Sequence, residues 1–233
     1  MQPVPHPLLI LAAGFGTRMG ALTAARPKPL IEVAGRPLID HALGIAAAAG
    51  VSKTVVNVHY LAGQIIDHLR GRGITISHEQ GQILDTGGGL RAALPLLGPG
   101  PVMVLNSDAV WTGANPLQQL ARVWDDRMDA LLLLLPTAAT RGHGQKADFH
   151  LAPDGRISRG RGDEGHVYLG ASMIRPERLV AVDDTVFSLN RPWNDIIADG
   201  RAFGMVHDGS WCDVGTPQGI AVAEALLQTL PHG

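Results

Sequence analysis

The chain has 233 residues, 45% of them hydrophobic and 17% charged, which is ample for a sizeable core. Its 19 Lys and Arg stand against 21 Asp and Glu, a net charge of −2, which excludes a global positive field that would recruit nucleic acid or an anionic membrane. A single cysteine, Cys212, excludes an internal disulfide, and no basic region precedes the short N-terminal apolar run, so a soluble cytoplasmic protein without a membrane partner is expected.

Leu8, Leu9, Ile10 and Leu11 form an unbroken apolar run suited to a strand buried on both faces. It passes at once into Ala12, Ala13, Gly14, Phe15, Gly16, Thr17 and Arg18. The small residues leave backbone N–H groups open to anionic oxygens, while Arg18 and, ten positions on, Lys28 bring fixed positive charge. Pro27 and Pro29 are expected to hold the lysine segment extended. A dinucleotide fingerprint would need a third glycine where Met19 stands, although Glu32 lies near the distance of a ribose-binding acid. A P-loop would need Gly-Lys-Ser/Thr, which is missing.

Pro37 to Ala49 then predicts a crossover helix, Lys53 to Val58 a strand, Leu61 to Leu69 a helix and Gly73 to His78 a strand. Thr86-Gly87-Gly88-Gly89 opens a third helix ending near Pro95; Pro101 to Asn106 is a strand, Asn115 to Arg127 a helix and Ala130 to Leu135 a strand. This alternation predicts an α/β fold with a Rossmann-like, doubly wound, mostly parallel sheet and helices on both faces. After Pro136 the rhythm lapses: Arg141 to Lys146 is polar, and Ala152-Pro153-Asp154-Gly155 predicts a hairpin turn. His166 to Ile174 resumes as strand, Arg191 to Asp199 as helix and Ala202 to His207 as strand; Thr216-Pro217 starts a closing helix through Leu230. One domain is expected, with a first half at about 1–135 that carries the glycine loop and a small β-rich second half plus closing helix at about 136–233.

Asp108 follows the apolar stretch Val102 to Leu105, beyond the carboxyl end of a strand, the edge where open α/β sheets bind ligands; a turn or helix-cap role is the alternative. Asp213 stands in the apolar, β-prone Trp211-Cys212-Asp213-Val214 just before a Gly-Thr-Pro helix start, where an unpartnered carboxylate would be costly. A metal would satisfy it, and so would the N–H groups of the following helix. The scattered histidines show no zinc spacing.

The stretch LAAGFGTRM followed by PKPL, with Asn106-Ser107-Asp108 and WCDVGT, resembles the sugar-1-phosphate nucleotidyltransferases; Ala21 stands where that family often has proline. The resemblance implies a GT-A-like fold whose partners are a nucleoside triphosphate and a sugar 1-phosphate. It implies that Ala12, Ala13, Gly14, Gly16 and Thr17 hold the triphosphate, that Asp108 and Asp213 bind Mg2+, and that Arg18, Lys28, Asp108 and Asp213 are catalytic. Gln80, Thr86 and Gly87 would face the nucleobase, Asn106 and Gly170 the sugar phosphate, and Asp148 the sugar hydroxyls. Each like-charge pair of phosphates at ~4 Å costs on the order of 4 kcal/mol at an effective dielectric of 20, and a hard divalent cation is the usual compensation.

Within the family the likeness is to members that pass a uridylyl group from UTP to N-acetylmuramic acid 1-phosphate, in cell-wall sugar recycling. Guanylyl transfer to mannose 1-phosphate, or nucleotidyl transfer to glucose 1-phosphate, is the near alternative. The lactyl carboxylate of muramate is expected to meet a cation among Arg141, His143, Lys146, Arg161 and His166. Two other classes stay open. A silent nucleotide-sugar-binding regulatory subunit would be expected to lack Lys28 or an aspartate, and a nicotinamide-dependent oxidoreductase would bind its cofactor at the first loop.

Overall fold

Three successive residues with no exposure at all, Leu8, Leu9 and Ile10, put β1 (Leu8–Leu11) in the middle of the sheet, where water reaches neither face. The computed structural model describes residues 3–141, 146–160 and 162–229. Further strands are β2 (Glu32–Val33), β3 (Arg36–Pro37), β4 (Thr54–Val58), β5 (Thr75–His78), β6 (Val102–Asn106), β7 (Ala109–Trp111) and β8 (Ala130–Pro136). They continue with β9 (Phe149–Leu151), β10 (Ile157–Arg159), β11 (His166–Ile174), β12 (Ala202–Val206) and β13 (Trp211–Asp213). The helices are α1 (Leu38–Ala48), α2 (Ala62–Leu69), α3 (Asp85–Leu97), α4 (Pro116–Val123), α5 (Glu177–Val180), α6 (Asn190–Ala198) and α7 (Pro217–Gln228). Among the described residues, no helix is long and apolar enough to cross a membrane.

The main sheet runs β10-β9-β11-β6-β1-β4-β5, with β8 on the other side of β11 and β12 beyond β8. β5, β4, β1 and β6 are mutually parallel, as are β8 and β12; β11 is antiparallel to both β6 and β8. The lapse in alternation after Pro136 therefore marks the one long strand that reverses. Side chains alternate across the sheet: Leu8, Ile10, Met103 and Leu105 pack under α1, α2 and α4, while Leu9, Val102 and Val104 pack under α3, α5 and α6. Both sets are fully buried, each side chain contributing roughly 1.5–3 kcal/mol, so neither face tolerates a polar alternate.

Two expected boundaries move. α4 stops at Val123, well before Arg127, because the Asp125 carboxylate accepts the Arg127 N–H at 2.8 Å and offers the backbone a local turn instead of another helical one. α3 runs two residues past Pro95, in its last turn. Leu230, expected to end the closing helix, lies outside the described residues.

A third, smaller apolar cluster builds the site. β7 and β13 pair antiparallel as a ribbon apart from the main sheet, with Asp213 opposite Ala109. Val110, Cys212 and Val214 of this region pack with Met19, Ile31 and Leu38 and with Ala223 and Leu226 of α7. The closing helix thus clamps the ribbon against the segment that follows β1.

Behind the ribbon, His207 is 3% exposed; its Nδ1 accepts from Gln119 at 2.8 Å and its Nε2 donates to the Thr112 carbonyl at 3.1 Å. Burial holds this imidazole below its ordinary 6.5, against the opposing pull of the Thr112 carbonyl and Asp208. The unfolded chain takes up a proton near pH 6.5 and the folded one does not, so stability is present above that value and falls as pH drops through it. His41 and His166, also lowered mainly by burial, act in the same direction. Urea midpoints should therefore fall between about pH 7.5 and 5.5, a window above the carboxylate range. An unchanged midpoint would contradict burial of neutral histidine.

Candidate active site

The loop after β1 is fixed at both ends. Ala12 donates its N–H to Asn57 Oδ1 at 2.8 Å, and Thr23 Oγ1 donates to the carbonyls of Gly16 and Gly20, each at 3.1 Å. Gly16 caps the 3-10 turn Thr17–Thr23 with φ +65°, and a Cβ there would lie 2.8 Å from Lys28 Cβ. Backbone conformation and close passage of the lysine segment both require glycine at that point. A Cβ on Gly14 would meet nothing within 4 Å, which leaves that stretch of loop open to a ligand.

Lys28 is 8% exposed, and its Nζ donates to Asp108 Oδ2 at 2.6 Å. Its segment is not extended as the flanking prolines suggest: Pro27 is, but Lys28–Leu30 form a 3-10 turn in which Pro29 needs no N–H donor. Asp108 is tied to the ribbon, since its carbonyl accepts the Val214 N–H at 2.9 Å, and Asp213 opposite Ala109 brings the second carboxylate to the same place. Arg18 Nη1 lies 4.0 Å from Asp213 Oδ2 with its side chain 67% exposed, a surface pair contributing at most about 1 kcal/mol. The guanidinium is thus hardly committed within the protein. Cys212 is no nucleophile: burial foremost, then Asp213, push its thiol up to about 11 against the influence of Arg141.

These groups border a cavity of about 300 Å³, within the range of small-ligand sites. Ala12, Ala13, Gly14, Gly16, Thr17, Arg18, Lys28, Thr86, Asn106 and Asp108 all line it. Asp213 stands just behind, its Oδ2 2.6 Å from where a Cβ on the lining residue Gly215 would be. Besides Asp213, four expected residues lie off the wall. Gln80 is exposed and the preceding Glu79 is buried in the wall instead, because one step along an extended chain reverses the side chain. Gly87 donates its N–H to the Phe187 carbonyl at 2.9 Å and packs on the Phe187 ring. Asp148 turns into the sheet, accepting the Tyr168 N–H at 2.9 Å. Gly170, φ +83°, sits at the register break of β11 between Tyr168 and Ser172, where a Cβ would stand 2.7 Å from Asn106 Nδ2, so it seats Asn106 and does not face the cavity itself.

Sequence reasoning passed over Asn57, Glu79, Asp85 and Ser107, which also line the cavity. Asn57 and Glu79 left a signal, as polar residues within or at the end of apolar strands. Asp85 has φ +61° and accepts the Thr86 N–H at 2.6 Å, an αL start to α3 that Asp tolerates better than most residues. Of the cations expected to meet a carboxylate, Arg141 is exposed and its carbonyl accepts the Asp213 N–H at 3.2 Å, which sets it beside the ribbon. Lys146 is exposed and His166 half-buried; His143 and Arg161 lie outside the described residues.

Among the described residues no group of three or more His, Cys, Asp or Glu forms a metal cluster. Asp108 and Asp213 are nevertheless hard oxygen donors brought together by the ribbon, and Mg2+ commonly takes only one or two carboxylates, completing its shell with water and phosphate oxygens. This donor set fits a magnesium ion that arrives with a nucleotide.

Residues 8–166 match the model of the MobA-like NTP transferase domain. The chain is 43% identical to an N-acetylmuramate alpha-1-phosphate uridylyltransferase of Caulobacter vibrioides, over 97% of this chain and 99% of that one. It is 35% identical to the protein of the same name from Neisseria meningitidis serogroup B, over 94% and 96%. In fold it is similar to the crystal structure of HddC from Yersinia pseudotuberculosis complexed with GMP-PN, with a TM-score of 0.75 at 19% identity, covering 94% of this chain and 98% of that one.

Proposed function

Because the chain belongs to the MobA-like NTP transferase family, we propose that it passes a uridylyl group from UTP to N-acetylmuramic acid 1-phosphate, as the two named relatives do. The products are the UDP-sugar and pyrophosphate, made in the cytoplasm as a step of cell-wall sugar recycling. A phosphate oxygen of the sugar 1-phosphate bonds to the α-phosphorus of UTP, and the bond from that phosphorus to the pyrophosphate oxygen breaks. The nucleophile is already an anion, so no protein base is required.

The chain's contribution is positioning and charge compensation. The loop from Ala12 to Thr17 cradles the triphosphate, Arg18 and Lys28 offset its charge, and Thr86 borders the base. Asn106, seated by Gly170, faces the sugar phosphate. Asp108 and Asp213 would hold Mg2+, which when bound neutralises charge on the phosphate oxygens. The observation that carries this reading is the convergence of Arg18, Lys28 and Asp108, from distant parts of the chain, on one cavity walled by a glycine loop, with Asp213 just behind the wall beside Arg18.

We assign the lactyl carboxylate to Arg141, which is exposed and whose backbone carbonyl accepts from the Asp213 strand. A charge-assisted hydrogen bond contributes roughly 1.5–3 kcal/mol, so N-acetylmuramic acid 1-phosphate should exceed N-acetylglucosamine 1-phosphate about 10- to 100-fold in kcat/KM. A pyrophosphate-release panel of four triphosphates against several sugar 1-phosphates tests this. Arg141→Ala should erode the preference and spare the neutral-sugar rate. Faster transfer from GTP to mannose 1-phosphate would overturn the substrate assignment.

A further inference from the structure

Asn57 and Glu79 are 2% and 4% exposed on the cavity wall, and nothing in the proposed transfer uses them. Their bonds form one chain across the pocket. Ala12 donates its N–H to Asn57 Oδ1 at 2.8 Å, Asn57 Nδ2 donates to Glu79 Oε1 at 2.7 Å, and Leu84 donates its N–H to Glu79 Oε2 at 2.8 Å. Ala12 opens the glycine loop on one side; Leu84 leads into Asp85 and Thr86 on the other.

The third glycine of Thr86-Gly87-Gly88-Gly89 makes room for this chain. A Cβ on Gly89 would lie 2.5 Å from Glu79 Oε1 and 2.8 Å from Asn57 Nδ2. The polarity of the chain is fixed as well, because a backbone amide can only donate. Ala12 forces oxygen at one end of Asn57, which leaves its NH2 for Glu79, and Leu84 forces an acceptor at the far oxygen of Glu79. An apolar pair would fill the same space without burying a carboxylate, so this arrangement is a poor solution for core stability. It is a good one for holding two backbone walls at a set distance.

We infer that Asn57 and Glu79 are positioning residues that set the width of the nucleoside slot between the glycine loop and the start of α3. They act on nucleotide binding through Ala12 and Leu84 and touch neither the reacting phosphorus nor the metal carboxylates. The identity of the ligand rests on the nucleotidyl-transfer reading.

The polarity supplies the test. In Asn57→Asp two carboxylates face each other, and in Glu79→Gln one of the fixed donors loses its acceptor. In the double variant the new carboxylate at position 57 accepts from Ala12 and from the new amide at position 79, whose oxygen accepts from Leu84. UTP affinity with Mg2+ is measured by titration calorimetry, alongside KM values and thermal midpoints, for the parent and all three variants. Each single change should weaken UTP about tenfold or more, with KM for the sugar 1-phosphate little moved, and the double variant should return to within ~3-fold of the parent.

Single variants that bind UTP like the parent would overturn the inference alone. So would a double variant that regains the parent's midpoint but not its UTP affinity, since that is the pattern of a merely structural pair. If Asn57→Asp does not fold, Glu79→Gln against the double variant decides the matter in the same way. A parent chain that binds no nucleoside triphosphate would overturn the transfer reading, and this inference with it.

Discussion

Asp108→Asn and Asp213→Asn should each lower kcat by about 10²–10³-fold while leaving a folded protein. Each change keeps the side chain's shape and removes a negative oxygen from the place where the magnesium of the nucleotide would sit. The ribbon is held by backbone pairing, which both changes leave in place, with Asp213 opposite Ala109 and the Val214 N–H on the Asp108 carbonyl. In Asp108→Asn the amide oxygen can still accept from Lys28, and the side chain is 28% exposed, so the stability cost should be small beside the loss of turnover. Turnover against Mg2+ concentration separates the two effects, since the variants should need more metal to reach their lower maximum. Either variant turning over within about threefold of the parent would contradict the metal assignment.

Lys28→Ala should lower kcat/KM by a similar factor and the thermal midpoint by only a few degrees, on the order of 1 kcal/mol. The ammonium is buried between the glycine loop and Asp108, a place where a cation is worth more to a developing phosphate charge than it would be in open water. Lys28→Arg should not rescue it, because the ammonium is a compact point charge held 2.6 Å from Asp108 Oδ2, and a longer planar fork cannot put its charge at that point. Unfolding as the main effect of Lys28→Ala would mean that the Pro-Lys-Pro segment serves the fold and not the ligand.

The elements most legible in the sequence are those whose burial pattern is local. Leu8–Leu11 and His166–Ile174 begin and end where the sequence pattern puts them, and the glycine loop, Lys28, Asp108 and Asn106 meet at one cavity, in line with what the resemblance implies. What was not legible depends on partners far away in the chain. β7 and β13 are three residues each, too short to show a period, and become strands only because each pairs with the other. That Glu79 lines the cavity and Gln80 does not depends on which of two neighbouring polar side chains faces inward, and Asn57 on the adjacent strand holds Glu79 there. Asp148, which the resemblance sets at the sugar hydroxyls, accepts the Tyr168 N–H because β9, which follows it, pairs with β11.

The central claim is that this cavity joins an oxygen of a sugar 1-phosphate to the α-phosphorus of UTP. Phosphorus-31 NMR of the products, from N-acetylmuramic acid 1-phosphate labelled with oxygen-18 on its non-bridging phosphate oxygens, tests it directly. The account predicts label in the oxygen that bridges the two phosphorus atoms of the UDP-sugar and none in the pyrophosphate. An unlabelled bridge, or label in the pyrophosphate, would contradict it.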